Sequence, residues 1–321
     1  MTSNNSSNSK LLIYVTGSLV KLIHKAEYCK SIIADGKELI TGKESGEIRV
    51  PELNDEKVYI TFKEDLTSLA NAFEGCKALT TIPENLFANN PEVTEFIGTF
   101  HGCYALTAIP EKLFANNPEV TEFIGTFHGC YALTAIPEKL FAHNTKVTGF
   151  GATFGHCTAL KFIPENFFAN CSELEDFSYM FCGCSALTSI PEGLFANCPK
   201  VTHFTGTFGK TSVTSIPENL FANNPKVTDF DDTFFCCTSL KSIPAGLFDN
   251  NRKVTNFEGT FYGCSALTGE SPYTMVNGKK VHLYERKKYP KRFTAPKYFK
   301  YAFYGCTGLT DYAQIPSDWK E

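Results

Sequence analysis

Hydrophobic positions along most of this chain recur with a fixed period. The dipeptide Ile-Pro marks that period, and its isoleucines are Ile82, Ile109, Ile136, Ile163, Ile190, Ile216 and Ile243. Neighbouring marks are 27 residues apart, except for one interval of 26. Self-similarity at periods of about 20 to 50 residues is typical of proteins in which each copy stacks on the next. The pattern predicts seven full repeats, at 79–105, 106–132, 133–159, 160–186, 187–212, 213–239 and 240–266.

The residues inside one repeat determine its local structure. The consensus is L-T-x-I-P-E-x-L-F-A-N-N-P-x-V-T-x-F-x-x-T-F-x-G-C-x-A. Its apolar steps of three and four would suit an amphipathic helix, but Pro83, Pro91 and Gly98 interrupt any long one. We therefore expect L-T-x-I and V-T-x-F to form short strands. P-E-x-L-F and T-F-x-G-C should form single helical turns, with the proline at a first helical position.

These motifs carry a family resemblance. The segment C-x-x-L-T-x-I-P, followed by V-T-x-F-x-x-x-F-x-x-C, resembles the BspA-like class of leucine-rich repeats found on bacterial surface proteins. The similarity covers about 66–269 and again about 299–316, with Phe and Ile at many of the usual Leu sites. It implies a solenoid of 27-residue coils built from short strands and helical turns. It also implies adhesion or host-protein binding at a cell surface or after secretion, without catalysis.

The segment before the repeats, residues 11–65, has a different pattern. Residues rich in β-branched and aromatic side chains predict strands at Leu11–Thr16, Leu19–Lys25, Ser31–Ala34, Lys37–Ile40, Glu47–Val50 and Lys57–Phe62. Asp35-Gly36 is a signal for a two-residue hairpin turn. This segment is either a small β domain that attaches to a partner or a cap that shields the first coil. Residues 1–10 form a polar tail without the features of a signal peptide.

An insertion at 270–298 separates the repeat region, 66–269, from a capping repeat at 299–321 that ends near Trp319. Asn277-Gly278 predicts a hairpin inside the insertion. Residues 269–300 carry nine Lys or Arg and two Glu, whereas the seven repeats carry 10 basic and 18 acidic residues. The candidate basic patch is Lys279, Lys280, Arg286, Lys287, Lys288, Lys291 and Arg292. It could bind an acidic protein, an anionic polymer or a membrane surface, or pair with the chain's own acidic coils. We expect the chain to unfold cooperatively without this insertion.

Cysteines and glutamates recur too, and both series have a structural explanation. Eight of the 13 cysteines share one repeat position, which predicts a ladder of buried thiols. Cys171 and Cys198 share another position and could pair in an oxidising setting. The repeated Glu after Ile-Pro suits the first turn of a helix. No zinc-type spacing, phosphate-binding loop or nucleophile motif is present in the sequence, so we expect no metal, no cofactor and no catalytic residue.

The positions that vary between repeats are the best candidates for a binding face. The slot after Val-Thr holds Glu95, Glu122, Gly149, Asp176, His203, Asp229 and Asn256. The slot after Leu-Thr holds small residues except at Phe162. A regular scaffold with changing exposed positions is how repeat proteins present a binding surface. Drift on a solvated surface would give the same pattern, and both explanations stay open here.

The sequence as a whole predicts a non-catalytic scaffold that binds a protein or a glycan, such as a component of host extracellular matrix. The alternative is a structural component of a larger assembly, such as a fibre or phage appendage, anchored through the β-rich N-terminus. A net charge of −4 and a pI near 6.0 argue against a nucleic-acid partner. The longest apolar run near the N-terminus, Leu11–Val15, is too short for a membrane span.

Overall fold

The computed structural model describes residues 9–40 and 42–321, and its N-terminal part is built from β-strands. The strands are β1 (Lys10–Tyr14), β2 (Gly17–Ile23), β3 (Cys29–Ala34), β4 (Lys37–Glu38), β5 (Ile48–Leu53) and β6 (Lys57–Phe62), with a 3₁₀ turn at Ala26–Tyr28. Only the last two residues of the predicted polar tail, 1–10, fall within the described residues. The other eight are outside them.

The strands form an antiparallel sheet that continues into the first repeat. Its order is β4-β3-β6-β1-β7, where β7 (Leu79–Thr81) is the L-T-x segment of the first repeat. The hydroxyl of Thr80 adds a bond to the carbonyl of Ile13, 3.0 Å away. Strands β2 and β5 pair separately. The first coil therefore shares backbone hydrogen bonds with the N-terminal sheet.

The predicted hairpin at Asp35-Gly36 is confirmed. Both residues have positive φ, 49° and 69°, which the tight turn between β3 and β4 requires. Strand β5 continues past the predicted end at Val50, through Pro51, to Leu53. Proline lacks a donor, but β5 pairs with only one described strand, so the missing N–H interrupts no second ladder.

The short strands predicted within every repeat are largely wrong. Among the described residues, L-T-x-I is a strand only in the first repeat, as β7. V-T-x-F is reduced to one parallel bridge residue in each coil. In the second coil, the N–H of Phe123 donates to Gly149 of the next coil, while Thr148 donates back to Thr121, at 3.1 and 2.8 Å. Neighbouring coils pair through only one residue here, which is too short a ladder to count as a strand.

The T-F-x-G-C segment turns and joins the next coil at the same time. Alternate N–H groups, of Gly98 and Phe100, donate to the following coil at 2.8 Å. The N–H groups that alternate with these, of Thr99 and His101, donate to the carbonyls three residues earlier, at 3.2 and 3.0 Å. The predicted helical turns are thus single turns, and no helix is assigned to the repeats within the described part of the chain.

Phenylalanine fills the interior in continuous columns. One column is Phe73, Phe100, Phe127, Phe154, Phe181, Phe208, Phe234, Phe261 and Phe303, with every ring buried. The rings of Phe73 and Phe100 lie 5.3 Å apart and nearly parallel. Each ring stacks on the copy before it with one face and on the copy after it with the other, so one residue type repeated at one position packs well. This explains why phenylalanine stands at sites where leucine is usual.

Buried Asn, Thr and Cys side chains form ladders beside these columns, and most of them donate to the preceding coil. The Asn117 amide donates to the Asn90 carbonyl at 2.7 Å, and the Thr126 hydroxyl donates to Phe96 at 2.9 Å. The Cys130 thiol lies 3.3 Å from the Phe100 carbonyl. Burial raises the pKa of that thiol to about 12, so it is an unreactive core group.

The insertion and the C-terminal repeat complete the fold. A hairpin of β8 (Tyr273–Val276) and β9 (Lys279–His282) turns at Asn277-Gly278, where φ is 50° and 77°, so the predicted hairpin is confirmed. A 3₁₀ helix at Leu283–Lys288 follows, and a last 3₁₀ turn spans Ser317–Trp319. Trp319 is buried, with its ring 4.9 Å from that of Phe299.

Candidate functional site

The varied residues after Val-Thr lie in one continuous line. Parallel bridges join Glu95, Glu122, Gly149, Asp176, His203, Asp229 and Asn256 in order, and the line continues to Ser68 before it and Tyr298 after it. We call this line the bridge column. A parallel backbone bridge joins each member to the equivalent residue of the neighbouring coil. Their side chains are exposed or half-buried, so the scaffold presents them in register on one face.

Part of the bridge column also has a local structural role. Asp176, Asp229 and Asn256 each accept a hydrogen bond from the backbone N–H two residues later, at 2.8 to 2.9 Å. Such turns favour Asp and Asn for reasons unrelated to a ligand. The Asn256 amide also donates to Asp229 at 2.9 Å. Glu95, by contrast, is exposed.

Phe162 does not belong to the bridge column. It occupies the slot after Leu-Thr, and 53% of its surface is exposed. Exposed large apolar residues are ordinary when they occur singly, so this ring alone does not define a site.

A second line beside the bridge column has left-handed backbone in every coil. Glycine occupies it at Gly98, Gly125, Gly206 and Gly259, where φ is 54–60°. The same position holds Asn71, Ala152, Tyr179, Asp232 and Tyr301, with φ of 51–59°. A non-glycine residue costs roughly 1 kcal/mol or more in this conformation. Side chains at this line are therefore retained against a local energetic cost.

The C-terminal coils use this line to build a depression of about 490 Å³. It is lined by Asp231, Asp232, Phe235, Glu258, Gly259, Tyr262 and Tyr301, and we call it the acidic aromatic depression. The Asp232 carboxylate lies against Gly259, where an added Cβ would come within 2.0 Å of its oxygen. Sequence reasoning missed this site. The signal was available, since Asp231-Asp232 replaces the usual x-Gly of the repeat.

The carboxylates of the depression repel one another. Partial burial and the neighbouring charges of Asp232, Asp229 and Glu258 raise the pKa of Asp231 to about 7. Burial and Glu258 also raise the pKa of Asp232. Within residues 9–40 and 42–321, none of the three lining carboxylates forms a salt bridge. Lys210 offsets part of the rise in the pKa of Asp232 without forming a salt bridge, so the site keeps an excess of negative charge.

The candidate basic patch divides into exposed and paired residues. Lys279, Lys287 and Lys291 are exposed, and the described chain offers them no carboxylate within salt-bridge distance. Lys280 pairs with Glu270 at 2.5 Å and Lys288 pairs with Glu285 at 3.0 Å. Arg292 is half-buried, with its ring-facing guanidinium 5.7 Å from the centroid of Phe293.

The assignment of Arg286 to the basic patch was wrong, because only 2% of its surface is exposed. Its guanidinium donates to the carbonyls of Phe248 and Asn251, at 2.7 and 3.1 Å. It also lies 5.4 Å from the ring centroid of Phe257. In earlier coils the equivalent carbonyls accept from an asparagine amide, as Phe221 and Asn224 do from Asn251. Arg286 thus takes the place of the asparagine that an eighth coil would supply.

A buried polar network ties the insertion to the C-terminal repeat. The Ser271 hydroxyl donates to Asp311 at 2.6 Å and lies 2.9 Å from Nδ1 of His282. The Ser271 N–H also donates to Asp311, at 2.9 Å. Ser271 is 1% exposed and bonds mainly to the carboxylate, so the trio lacks the accessible, histidine-activated hydroxyl that nucleophilic catalysis needs. We assign it a structural role.

Residues 9–40 and 42–321 contain no group of three or more His, Cys, Asp or Glu arranged to hold a metal ion. No helix in that part of the chain has the length and apolar character to cross a membrane. All thirteen cysteines are free thiols. Cys171 and Cys198 occupy the repeat position that is asparagine in the other coils, which we call the asparagine ladder: Asn90, Asn117, Asn144, Asn224 and Asn251. Their pairing stays a prediction for an oxidising setting.

The coils define a leucine-rich-repeat protein. A family model for the BspA type leucine rich repeat region matches in six copies, over residues 80–228 and 161–270. The chain belongs to this family, and the predicted resemblance is confirmed.

The solved structures that resemble this chain have low sequence identity to it. No curated protein matches the chain. The APL1 leucine-rich repeat domain is 16% identical over 44% of this chain and 36% of that one, with a TM-score of 0.32. A leucine-rich repeat protein from Bacteroides ovatus is 22% identical over 80% and 70%, with a TM-score of 0.34. The Toll–Spatzle complex of Drosophila gives 16% identity over 72% and 37%, with a TM-score of 0.33. The chain therefore spans little more than a third of the length of the APL1 chain and of the matched chain in the Toll–Spatzle complex.

Proposed function

We propose that this protein is a non-catalytic binding scaffold and that the bridge column is its binding face for a protein or glycan partner. One observation carries this proposal. The parallel bridges bring one slot that varies between the repeats into a single register on the surface. A partner that spans several coils would contact a different side chain at each step. Large surfaces of this kind are how repeat proteins achieve specificity.

The contrast between interior and surface supports the same proposal. Inside each coil the Phe, Thr, Cys and Asn positions repeat with few changes, because each packs on or hydrogen-bonds to a fixed position of the neighbouring coil. On the bridge column the side chain changes from Glu to Gly, Asp, His and Asn. The backbone tolerates all of these. The column can therefore change its ligand without changing the fold.

We further propose that the repeats form a solenoid closed at both ends. The sheet of residues 11–65 would cap the first coil, and the Asn90 amide donates to the Lys63 carbonyl at 2.5 Å there. The insertion and the 299–321 repeat would cap the last coil, through Arg286 and Trp319. Capping repeats protect a core that would otherwise end in water.

The setting of the function is also a proposal. Family membership supports display at a bacterial cell surface and adhesion to an outside ligand, such as a host extracellular-matrix component. The exposed lysines at 279, 287 and 291 are a second candidate site for an anionic partner, since no described carboxylate pairs with them. Lysine clusters attract anions, though exposed charges contribute modestly at physiological salt.

The experiment that tests the binding face is capture from solubilised extracellular matrix on the immobilised protein. One variant reverses charge on the column, with Glu95→Lys, Glu122→Lys and His203→Glu. A matched variant changes Glu92→Lys and Glu111→Lys, which are exposed positions outside the column. We expect the column variant to lose about 90% of the captured protein and the matched variant to keep most of it. Equal losses in both, or none in either, would contradict the proposal.

A further inference from the structure

We propose that the acidic aromatic depression binds a cationic side chain, arginine or lysine, presented by a protein partner. The proposal rests on the proposed function, because the depression adjoins the bridge column. The N–H of Asp231 donates to the Asp229 side chain at 2.8 Å, so the two surfaces are continuous. The inference adds the chemistry of the partner at this end of the column.

The shape of the depression suits one inserted side chain. Its volume of about 490 Å³ is within the range of about 300–1,000 Å³ that small-ligand sites occupy. The rings of Tyr262 and Tyr301 stand 6.4 Å apart at 80° to each other and form an open corner. Tyr301 is 43% exposed, so its ring is accessible. Tyr304 stacks behind Tyr262 at 4.9 Å and holds the corner in place.

The charge of the depression selects a cation. Asp231, Asp232 and Glu258 converge on a site where no described residue forms an ion pair with them, and their mutual repulsion is what a bound cation would relieve. Aromatic faces attract the same group, by about 0.5–1 kcal/mol at exposed sites and more where water is excluded. Carboxylate and ring thus favour one ligand. A neutral sugar would stack on the rings but would leave the repulsion unchanged.

The chain itself contains one instance of this recognition. The Lys210 ammonium lies 5.2 Å from the ring centroid of Phe235, at the edge of the depression. Phe235 reaches that position because Gly209 has no side chain, and an added Cβ there would come within 2.0 Å of the ring. No described lysine or arginine lies over the Tyr262 or Tyr301 ring. These two rings offer an equivalent place to a cation from outside.

The nature of the lining also argues against a metal ion. Three aromatic rings line the depression beside the three carboxylates. No group of described residues has the arrangement that metal coordination needs. Hard cations such as calcium need six to eight oxygen ligands, roughly twice what three carboxylates supply as single donors. A guanidinium or ammonium group needs only partial hydrogen bonding and a ring face.

The test uses a fluorescein-labelled hexapeptide of alternating glycine and arginine, titrated with the full chain at pH 8 and low salt. A peptide with citrulline in place of arginine keeps the shape and removes the charge. We expect the arginine peptide to bind at least about tenfold more tightly. Asp231→Asn with Asp232→Asn should weaken its binding about tenfold. Tyr301→Asn should weaken it about threefold, and asparagine tolerates the left-handed backbone at that position.

A matched variant, Glu92→Gln with Glu111→Gln, removes the same charge from the N-terminal coils and should leave the affinity within twofold. Binding should also strengthen from pH 6 to pH 8, because Asp231 has a pKa of about 7 and becomes ionised over that interval. Equal binding of the citrulline peptide would overturn the inference, and so would equal losses in the two carboxylate pairs. Since this titration uses no natural partner, its failure would remove only the preference for a cation. The capture experiment decides the binding role itself.

Discussion

The bridge column and the basic insertion are both charged, but the fold holds them in different ways. Every residue of the bridge column lies on a backbone bridge, and its side chain is exposed or half-buried. In the insertion the central charge, Arg286, is buried and bonds two carbonyls of the last coil. Charged residues that look equivalent in the sequence therefore lie on the surface in the bridge column, whereas Arg286 of the insertion lies in the core.

The need for Arg286 follows from the direction of the side-chain ladders. The Asn, Thr and Cys ladders donate to the coil before them. The first coil therefore presents donors at its open end, and a backbone carbonyl, that of Lys63, is enough for Asn90. The last coil presents carbonyls, and only a donor can satisfy them. The guanidinium of Arg286 has a forked set of N–H groups that reaches two acceptors at once.

The largest expected effect is therefore at Arg286. Replacement by alanine leaves two buried carbonyls without donors and opens a cavity, so we expect a loss of about 3–4 kcal/mol in the free energy of unfolding. The loss should appear in denaturant unfolding, with faster amide exchange in the last coil. Lys287→Ala, next to it and exposed, serves as the control. A change below about 1 kcal/mol at Arg286 would mean that the insertion is not an end cap.

Replacing an asparagine in the middle of the ladder should destabilise the protein less than replacing Arg286, which bonds the carbonyls at its end. The Asn144 amide donates to Asn117 at 2.8 Å, and its side chain is fully buried. Asn144→Ala should cost about 2 kcal/mol, since it leaves an acceptor unsatisfied. Asn144→Cys should cost less, because cysteine occupies this rung naturally at Cys171 and Cys198. Thermal unfolding of both variants would decide, and equal costs would contradict the ladder account.

Asp231 should give a small stability effect that depends on pH. Its pKa is raised from 3.8 to about 7 in the folded chain, so the fold favours the protonated form. The stability from this group is full below about pH 4 and is lost as the pH rises through 7. Asp231→Asn should therefore stabilise the protein at pH 8 by about 0.5 kcal/mol, a value reduced for partial exposure, and should have no effect at pH 4. Glu92→Gln should show no such pH dependence in the same unfolding measurements.

The smallest effect on stability is expected from the exposed lysines. Lys279→Ala with Lys287→Ala and Lys291→Ala should change the free energy of unfolding by less than about 0.5 kcal/mol, because solvent screens these charges. Binding to a sulfated polymer should weaken in the same variant if the patch is a second site. Unchanged binding at low salt would exclude that site.

The period of the sequence predicted stacked repeats whose apolar residues share one core, because a residue copied every 27 positions lies near its own copy. It overestimated the strands, since V-T-x-F joins neighbouring coils through a single bridge per coil. The pattern of apolar residues cannot show where hydrogen bonds alternate between turn and neighbour.

The site was only partly visible in the sequence. The bridge column could be predicted because variation at one slot is a property of aligned repeats. Arg286 was assigned to the surface because its neighbours in sequence are exposed lysines, while its burial depends on the carbonyls of Phe248 and Asn251. The acidic aromatic depression joins Asp232 to Tyr301 across the insertion. Only the folded chain places those residues side by side.

The most direct test of the binding face is a photo-crosslinking amino acid placed at His203 on the bridge column, compared with the same group at Lys287 on the insertion. Both positions are exposed, so the group is accessible in either place. After incubation with solubilised extracellular matrix, we predict that the His203 probe yields the dominant cross-linked protein and that Glu95→Lys with Glu122→Lys removes it. Cross-linking from Lys287 alone, unaffected by these column changes, would contradict the account and move the binding site to the insertion.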